Sequence, residues 1–167
     1  YGDLYIFLKN KINSKNYIAF EPGINEFSCL KLNCPESKLF KNGLGNQNII
    51  KDFYIESKNA DSSFIKPRSF NNIQKVEMKT LDSIVLSEKI SKVKLLKLEA
   101  EGFEPEVLKG GNFFLSICEF VAIDGGHERG IKQEETFSKV TNHLFKKGFN
   151  LLAINFSGGR ALFKRRI

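Results

Sequence analysis

The chain has few of the residues from which disulfide frameworks, zinc sites and histidine-based active sites are built. Its 167 residues include three cysteines and two histidines. Cys29, Cys34 and Cys118 are odd in number and show neither a CxxC motif nor a paired metal-ligand spacing, which argues against a disulfide framework and a zinc site. No serine or cysteine lies in a nucleophile-elbow pattern, so a histidine-based hydrolase is disfavoured. We therefore expect a site without a metal, in a chain whose cysteines suit the reducing cytoplasm.

Long hydrophobic runs are also missing. The sequence has no stretch of about 18 apolar residues that would span a membrane, and no basic–apolar–small signal peptide at its start. Hydrophobic residues make up 41% of the chain and charged residues 27%, as in ordinary globular proteins. Because a chain of this length matches one domain with a substantial core, we expect residues 1–167 to form a single soluble domain.

The net charge of +7 comes mostly from lysines scattered along the chain. Such a charge can favour nucleic acid or an anionic membrane surface as a partner. However, the only dense basic cluster is Lys164-Arg165-Arg166, and no aromatic–basic recognition motif accompanies it. A solvated basic surface is therefore favoured over a nucleic-acid site, and a non-catalytic basic binding module is kept as an alternative.

Helical and strand patterns alternate along the chain, which predicts an α/β fold. The predicted helices cover 3–12, 25–33 with Asn25 as its cap, a short segment starting at 81, another from 105 to 109, and 133–147. The predicted strands cover 17–20, 49–55, 76–80, 95–98 and 120–123, with loops at 42–45, 57–63 and 66–68. A terminal hairpin is predicted from 149–154 and 161–163 around Ser157, Gly158 and Gly159.

Acidic side chains follow three of the predicted strands. Glu21-Pro22 closes one strand, Glu99 and Glu101 follow another, and Asp124 closes a third. Ligands of open α/β sheets collect at the carboxyl ends of strands. Because a carboxylate accepts hydrogen bonds from both ribose hydroxyls, an acid about twenty residues after a glycine turn is suited to hold a nucleoside cofactor. Glu21 is therefore the candidate cofactor residue.

The stretch from Lys94 to Gly111, KLLKLEAEGFEPEVLKGG, combines a buried strand, an acidic turn and a short helix. It resembles the hallmark of the FkbM-type S-adenosylmethionine (SAM)-dependent methyltransferases. The matching residues are Lys97, Leu98, Glu99, Ala100, Glu101, Gly102, Phe103, Glu104 and Gly110. Further matches are Glu21-Pro22 and Thr80-Leu81-Asp82, in which Asp82 is expected to cap a helix or fix a loop. The family usually has Asp where this chain has Glu99, whose longer side chain displaces the charge.

The resemblance implies a Rossmann-like class I methyltransferase sheet, mostly parallel, with a terminal antiparallel hairpin. In the family a first strand and an Asp-x-Gly-like loop precede the first helix. Gly2 matches only the last glycine of that loop. The chain is therefore expected to be an N-terminally truncated FkbM-like domain that lacks the first strand and its glycine loop.

The resemblance also implies a function and a set of site residues. It implies SAM as the cofactor and O-methylation of a hydroxyl on a sugar, a glycan or another small metabolite. The implied cofactor-binding residues are Gly2, Glu21, Pro22, Leu44 and Glu99, and the candidate catalytic residues are Lys97, Glu99, Glu101 and Asp124. A nucleotide- or NAD-binding oxidoreductase domain is the enzymatic alternative, because a carboxylate on ribose would serve both functions.

Deprotonation of an alcohol acceptor requires a general base. With no histidine dyad in the sequence, a carboxylate at the end of the hallmark strand is the simplest candidate. If the strand continues through Glu99 and Glu101, both carboxylates and Lys97 share one face. Lys97 would then offset their charge or orient the acceptor hydroxyl.

Overall fold

The computed structural model of the chain describes residues 1–56, 62–155 and 158–166. Residue contacts divide the chain into one unit over Tyr1–Gly43 and a second that starts at Leu44. Of the predicted loop 57–63, residues 57–61 lie outside the described residues, as does Ser157 of the predicted hairpin turn. In the described ranges, no helix has the length and apolar character that crossing a membrane requires.

The first unit contains two helices and a pair of parallel strands. Its elements are α1 (Asp3–Leu8), a 3-10 turn (Ser14–Asn16), β1 (Ile18–Phe20), α2 (Ile24–Asn33) and β2 (Lys38–Phe40). Strands β1 and β2 are parallel, with Ala19 opposite Leu39. A small core of Tyr5, Leu30 and Cys34 lies in this unit.

Two helix boundaries in the first unit differ from the predictions. The helix predicted at 3–12 ends at Leu8, because the Lys11 N–H donates to the Leu8 carbonyl in a tighter turn. Asn25 is not a cap, since α2 already begins at Ile24 and Gly23 precedes it in an extended conformation.

The second unit alternates strands with short helices. Its strands are β3 (Gly43–Leu44, which begins at the unit boundary), β4 (Ile49–Ile55), β5 (Asn72–Lys79), β6 (Val93–Leu98), β7 (Cys118–Asp124), β8 (Phe149–Asn155) and β9 (Arg160–Arg165). Its helices are α3 (Leu81–Ser87), α4 (Glu104–Lys109), α5 (Asn112–Ile117) and α6 (Phe137–Lys146). The α/β class is as predicted, but residues 43–44 form a short strand instead of a loop.

The strands of the second unit form two sheets. One has the order β3-β5-β4, with β4 and β5 antiparallel. The other has the order β6-β7-β9-β8, in which β6 and β7 are parallel and the β7–β9 and β9–β8 pairs are antiparallel. The described sheets are therefore mixed. The terminal strands form the antiparallel pair that the sequence predicts, with a register shift between Leu151 and Ala153.

Helices α4, α5 and α6 contribute to the main hydrophobic core. Leu108, Leu115 and Leu144 are fully buried there, together with Phe149 and Phe163 of the terminal strands. The helix predicted at 133–147 begins only at Phe137. Gln133 has a left-handed φ of 51° and the Glu134 N–H donates to the Arg129 carbonyl, so the residues before Phe137 form a bridge and not a helical turn.

Candidate active site

The hallmark stretch leaves its strand through a left-handed turn. Strand β6 ends at Leu98, and Glu101 and Gly102 follow with φ values of 48° and 87°. A left-handed φ is strained for a residue with a side chain and persists where surrounding contacts impose it. The strand does not continue through Glu99 and Glu101, so the condition under which strand alternation would place them on one face is not met.

Glu104 holds this turn from inside the protein. Its side chain is fully buried, and its Oε1 accepts hydrogen bonds from the Ala100 N–H at 2.8 Å and the Gly102 N–H at 3.2 Å. These two peptide groups flank Glu101. Among the described residues, Oε2 of Glu104 has no hydrogen-bond partner. The sequence identified Glu104 only as part of the hallmark and did not indicate that its carboxylate closes the turn.

Ser63 and Arg129 hold the same turn from two other segments. The Ser63 hydroxyl donates to the Glu101 carbonyl at 2.7 Å. The Arg129 guanidinium donates to the Gly102 carbonyl at 2.6 Å and makes two bonds of 2.9 Å to the Glu106 carboxylate. A Cβ atom on Gly102 would lie 2.6 Å from the Arg129 Cα, so only glycine fits at this position. Three side chains therefore determine the conformation at Glu101.

Glu99 and Asp124 lie at the carboxyl ends of neighbouring parallel strands. Leu98 is paired with Ile123, so the next residues, Glu99 and Asp124, occupy the same edge of the sheet. Glu99 forms an ion pair with Lys97, and Asp124 accepts a hydrogen bond from Arg160 Nε at 2.7 Å. Arg160 was not among the predicted site residues. It begins β9, and its position beside Asp124 depends on the pairing of β7 with β9.

Lys97 lies among the ionisable groups at this edge. Its side chain is 36% exposed. Partial burial is the main cause that lowers the pKa of Lys97 below its usual value, whereas the charges of Asp124, Glu101 and Glu104 oppose that shift. Arg160 lowers the pKa of Lys97 further. The predicted catalytic residues Lys97, Glu99, Glu101 and Asp124 thus lie in one electrostatic environment in the second unit.

Glu21 lies in the first unit, directly after β1. Its Oε1 accepts a hydrogen bond from the Gly23 N–H at 2.8 Å. Burial, with a smaller contribution from Glu26, raises the pKa of Glu21 to about 7, although the Gly23 hydrogen bond and the N-terminal ammonium act in the opposite direction. Glu21 therefore changes its charge near neutral pH. Perturbed carboxylates of this kind are more frequent at functional sites than elsewhere.

The remaining predicted cofactor residues lie in different parts of the chain. Pro22 follows Glu21, and Gly2 precedes α1 with a left-handed φ of 84°. A Cβ atom on Gly2 would approach the Cys34 Sγ to 2.9 Å, so the absence of a side chain at Gly2 also allows its backbone to pack closely against Cys34. Leu44 is half-buried and packs against the core of the second unit.

Asp82 caps a helix, but not its own. Thr80 caps α3, since its hydroxyl accepts a hydrogen bond from the Ser83 N–H at 3.0 Å. The Asp82 carboxylate accepts hydrogen bonds from the N–H groups of Phe113 at 3.1 Å and Phe114 at 2.7 Å, in the first turn of α5. Asp82 thereby connects α3 to the helix that follows the hallmark.

The fold defines an α/β protein with ionisable side chains at the carboxyl ends of two neighbouring parallel strands. Ligands of open α/β sheets usually bind at that edge. The family model of the methyltransferase FkbM domain matches residues 2–151. The chain therefore belongs to the FkbM methyltransferase family, which confirms the resemblance seen in the hallmark. Comparisons with curated proteins and with solved structures gave no match.

Proposed function

We propose that the protein is a SAM-dependent methyltransferase that methylates a hydroxyl group of a sugar, a glycan or another small hydroxylated metabolite. Family membership carries the methyl-transfer part of this proposal. The carboxylates at the carboxyl ends of β6 and β7 support an acceptor that must lose a proton. We further propose that residues 1–167 belong to one FkbM-like domain with a Rossmann-like sheet, of which β6-β7-β9-β8 is a part.

In the first unit, the Glu21 carboxylate is suited to bind the ribose of the cofactor. Gly23 holds one oxygen of the Glu21 carboxylate, and a carboxylate has about four lone-pair sites, so acceptors remain for both ribose hydroxyls. Gly2 and Pro22 belong to the same unit and are assigned to the cofactor by the family pattern. Leu44, which begins the second unit, is assigned to the adenine side by the same pattern. SAM, when bound, supplies an electrophilic methyl group on a sulfonium.

In the second unit, the acidic side chains after the hallmark strand are suited to accept the proton of the acceptor hydroxyl. Methyl transfer is an in-line displacement in which the enzyme mainly aligns the donor and the acceptor. We assign Glu101 as the general base, because its turn is held by Ser63, Glu104 and Arg129. Glu99, paired with Lys97, is assigned to the amino group of SAM. Lys97 and Asp124 orient the acceptor hydroxyl and balance the charge at the edge.

Isothermal titration of the protein with SAM, NAD⁺ and a short oligonucleotide tests the proposal against its two alternatives. We expect saturable binding of SAM and no binding of NAD⁺ or the oligonucleotide. Preference for NAD⁺ would favour an oxidoreductase domain, and preference for the oligonucleotide would favour a basic binding module. Family membership is the observation that favours SAM over both.

Replacing Glu21 by alanine is expected to weaken SAM binding by about 2–3 kcal/mol, because two hydrogen bonds to a charged acceptor are lost. The affinity of the wild-type protein should also fall as the pH decreases through about 7, since a protonated carboxyl loses part of its acceptor capacity. Titration calorimetry between pH 6 and pH 8.5 on the wild-type protein, Glu21→Ala and Glu21→Gln measures both effects.

Glu21→Gln is the matched control for this pH dependence, because its amide does not titrate in that range. The variant should bind SAM more weakly than the wild-type protein at high pH and lose the pH dependence. Unchanged affinity in Glu21→Ala would show that Glu21 does not hold the ribose.

A further inference from the structure

A cavity of about 280 Å³ opens at the end of the four-stranded sheet where β6 and β7 begin and β9 ends. Its walls are formed by Lys92, Ser116, Ile117, Cys118, Glu119, Lys164, Arg165 and Arg166. Strands β6 and β7 have six and seven residues. At about 3.3 Å per residue, roughly 20 Å therefore separates this cavity from the carboxyl ends of the strands. The methyl-transfer residues proposed above do not line it.

The cationic side chains that line this cavity come from separate segments of the chain. Lys92 precedes β6, Lys164 and Arg165 end β9, and Arg166 follows it. Glu119 is the one carboxylate among the lining residues, and it is paired with Lys94 at 2.7 Å. The hydrogen bond from Lys94 is the main cause that lowers the pKa of Glu119, and Lys92 and Lys164 lower it further. Among the described residues, four cationic side chains and one carboxylate therefore line the cavity, and that carboxylate is already paired with Lys94.

The two arginines are held at the cavity by neutral acceptors. Arg165 donates to the backbone carbonyls of Cys118 and Leu115, and its guanidinium lies 4.9 Å from the centroid of the Phe149 ring. Arg166 donates from Nε to the amide oxygen of Asn150 at 2.8 Å. These contacts restrict the side chains without neutralising them. Preorganised guanidinium groups lose less conformational entropy when they bind an anion.

We propose that this cavity binds the phosphate group of a small phosphorylated ligand. A guanidinium has five N–H groups, of which the hydrogen bonds within the protein use two in Arg165 and one in Arg166, so other N–H groups can donate to phosphate oxygens. The lysines add positive charge. The walls form an open depression of about 280 Å³, whose size suits a phosphate with a small organic substituent. The Lys164-Arg165-Arg166 cluster of the sequence is thus assigned to ligand binding, independently of the proposed methyl transfer.

Two-dimensional ¹H–¹⁵N NMR titrations of the full chain test this proposal. The probes are inorganic phosphate, glycerol 3-phosphate and glycerol, at constant ionic strength in chloride. Glycerol differs from glycerol 3-phosphate only by the phosphate. We expect saturable shifts with both phosphates and none with glycerol, concentrated at residues 92–94, 116–119 and 164–166. Shifts that rise linearly without saturating, or that scatter over the surface, would show only a solvated basic face and overturn the proposal.

The double variant Lys92→Gln/Arg166→Gln removes two exposed cations from the cavity. We expect its affinity for glycerol 3-phosphate to fall by about 10-fold or more, as two charge-assisted contacts are lost. Lys75→Gln/Lys139→Gln is the control, because it makes the same change in net charge at two exposed lysines that do not line the cavity. Equal weakening in both variants would overturn the site.

Two further probes distinguish the source of the phosphate. Vesicles containing phosphatidic acid present a phosphomonoester on a surface, and an oligonucleotide presents phosphodiesters along a strand. We expect the cavity residues to prefer glycerol 3-phosphate over both. Binding to the vesicles alone or to the oligonucleotide alone would overturn the assignment to a small ligand.

Discussion

Replacing Glu104 by alanine is expected to lower the free energy of unfolding by about 2–4 kcal/mol. The N–H groups of Ala100 and Gly102 would lose their acceptor in a buried environment, where each unsatisfied donor costs about 1–3 kcal/mol. The removed side chain also leaves a cavity in the core. Part of this loss is offset, because the variant no longer buries a carboxylate whose Oε2 has no partner among the described residues. Denaturation in urea, followed by circular dichroism, measures the change.

Glu104→Gln is the matched control for this experiment. Its amide oxygen can accept the same two hydrogen bonds, so most of the stability should be retained. If Glu104→Ala and Glu104→Gln are equally destabilised, a neutral acceptor is not sufficient, and the negative charge of the carboxylate is required to hold the turn. If neither variant differs from the wild-type protein, Glu104 does not hold the turn.

Replacing Glu101 by glutamine is expected to reduce turnover by about 100-fold or more, with little change in SAM affinity, because an amide cannot accept the proton of the acceptor hydroxyl. The substitution preserves the shape of the side chain, so the hydrogen bonds to the Glu101 carbonyl and to the flanking peptide groups should remain. Initial rates with radiolabelled SAM, on an acceptor found by screening free sugars and hydroxy acids, measure the turnover. Titration calorimetry measures the SAM affinity.

Glu99→Gln and Glu77→Gln are the comparisons for this experiment. Glu99→Gln should mainly weaken SAM binding if Glu99 holds the amino group of the cofactor. Glu77 lies on β5, away from the hallmark, and its replacement should leave both quantities unchanged. The general-base role of Glu101 must be abandoned if Glu99→Gln and Glu101→Gln both lose SAM binding or both keep full turnover.

The local patterns of the sequence predicted many elements correctly. The strand at 49–55 has the predicted bounds. Glu99 directly follows β6 and Asp124 is the last residue of β7, so both acids lie at strand ends as expected. Short helices were harder to predict, since six residues contain fewer than two turns and little periodicity. Helix α5 was missed for this reason, and its start depends on a carboxylate from α3.

The hallmark turn shows why part of the site was beyond prediction from the sequence. Period-2 alternation would place Glu99 and Glu101 on one face only if the strand continued through both, because alternation holds only while the chain stays extended. The left-handed residues 101 and 102 end that regularity. Their conformation depends on Ser63 and Arg129, which come from other segments and carry no sequence signal that connects them to the turn.

The sequence by itself determined the α/β class, the family and the acidic residues that follow the strands, because these depend on residue types and spacings within short segments. Only the tertiary structure decided that Glu104 closes the hallmark turn, that Arg160 contacts Asp124 and that basic side chains converge at the opposite end of the sheet. The last two features require strand pairing between segments far apart in the chain. The Glu104 hydrogen bonds are local in sequence, but they form because core packing buries the Glu104 side chain under the turn.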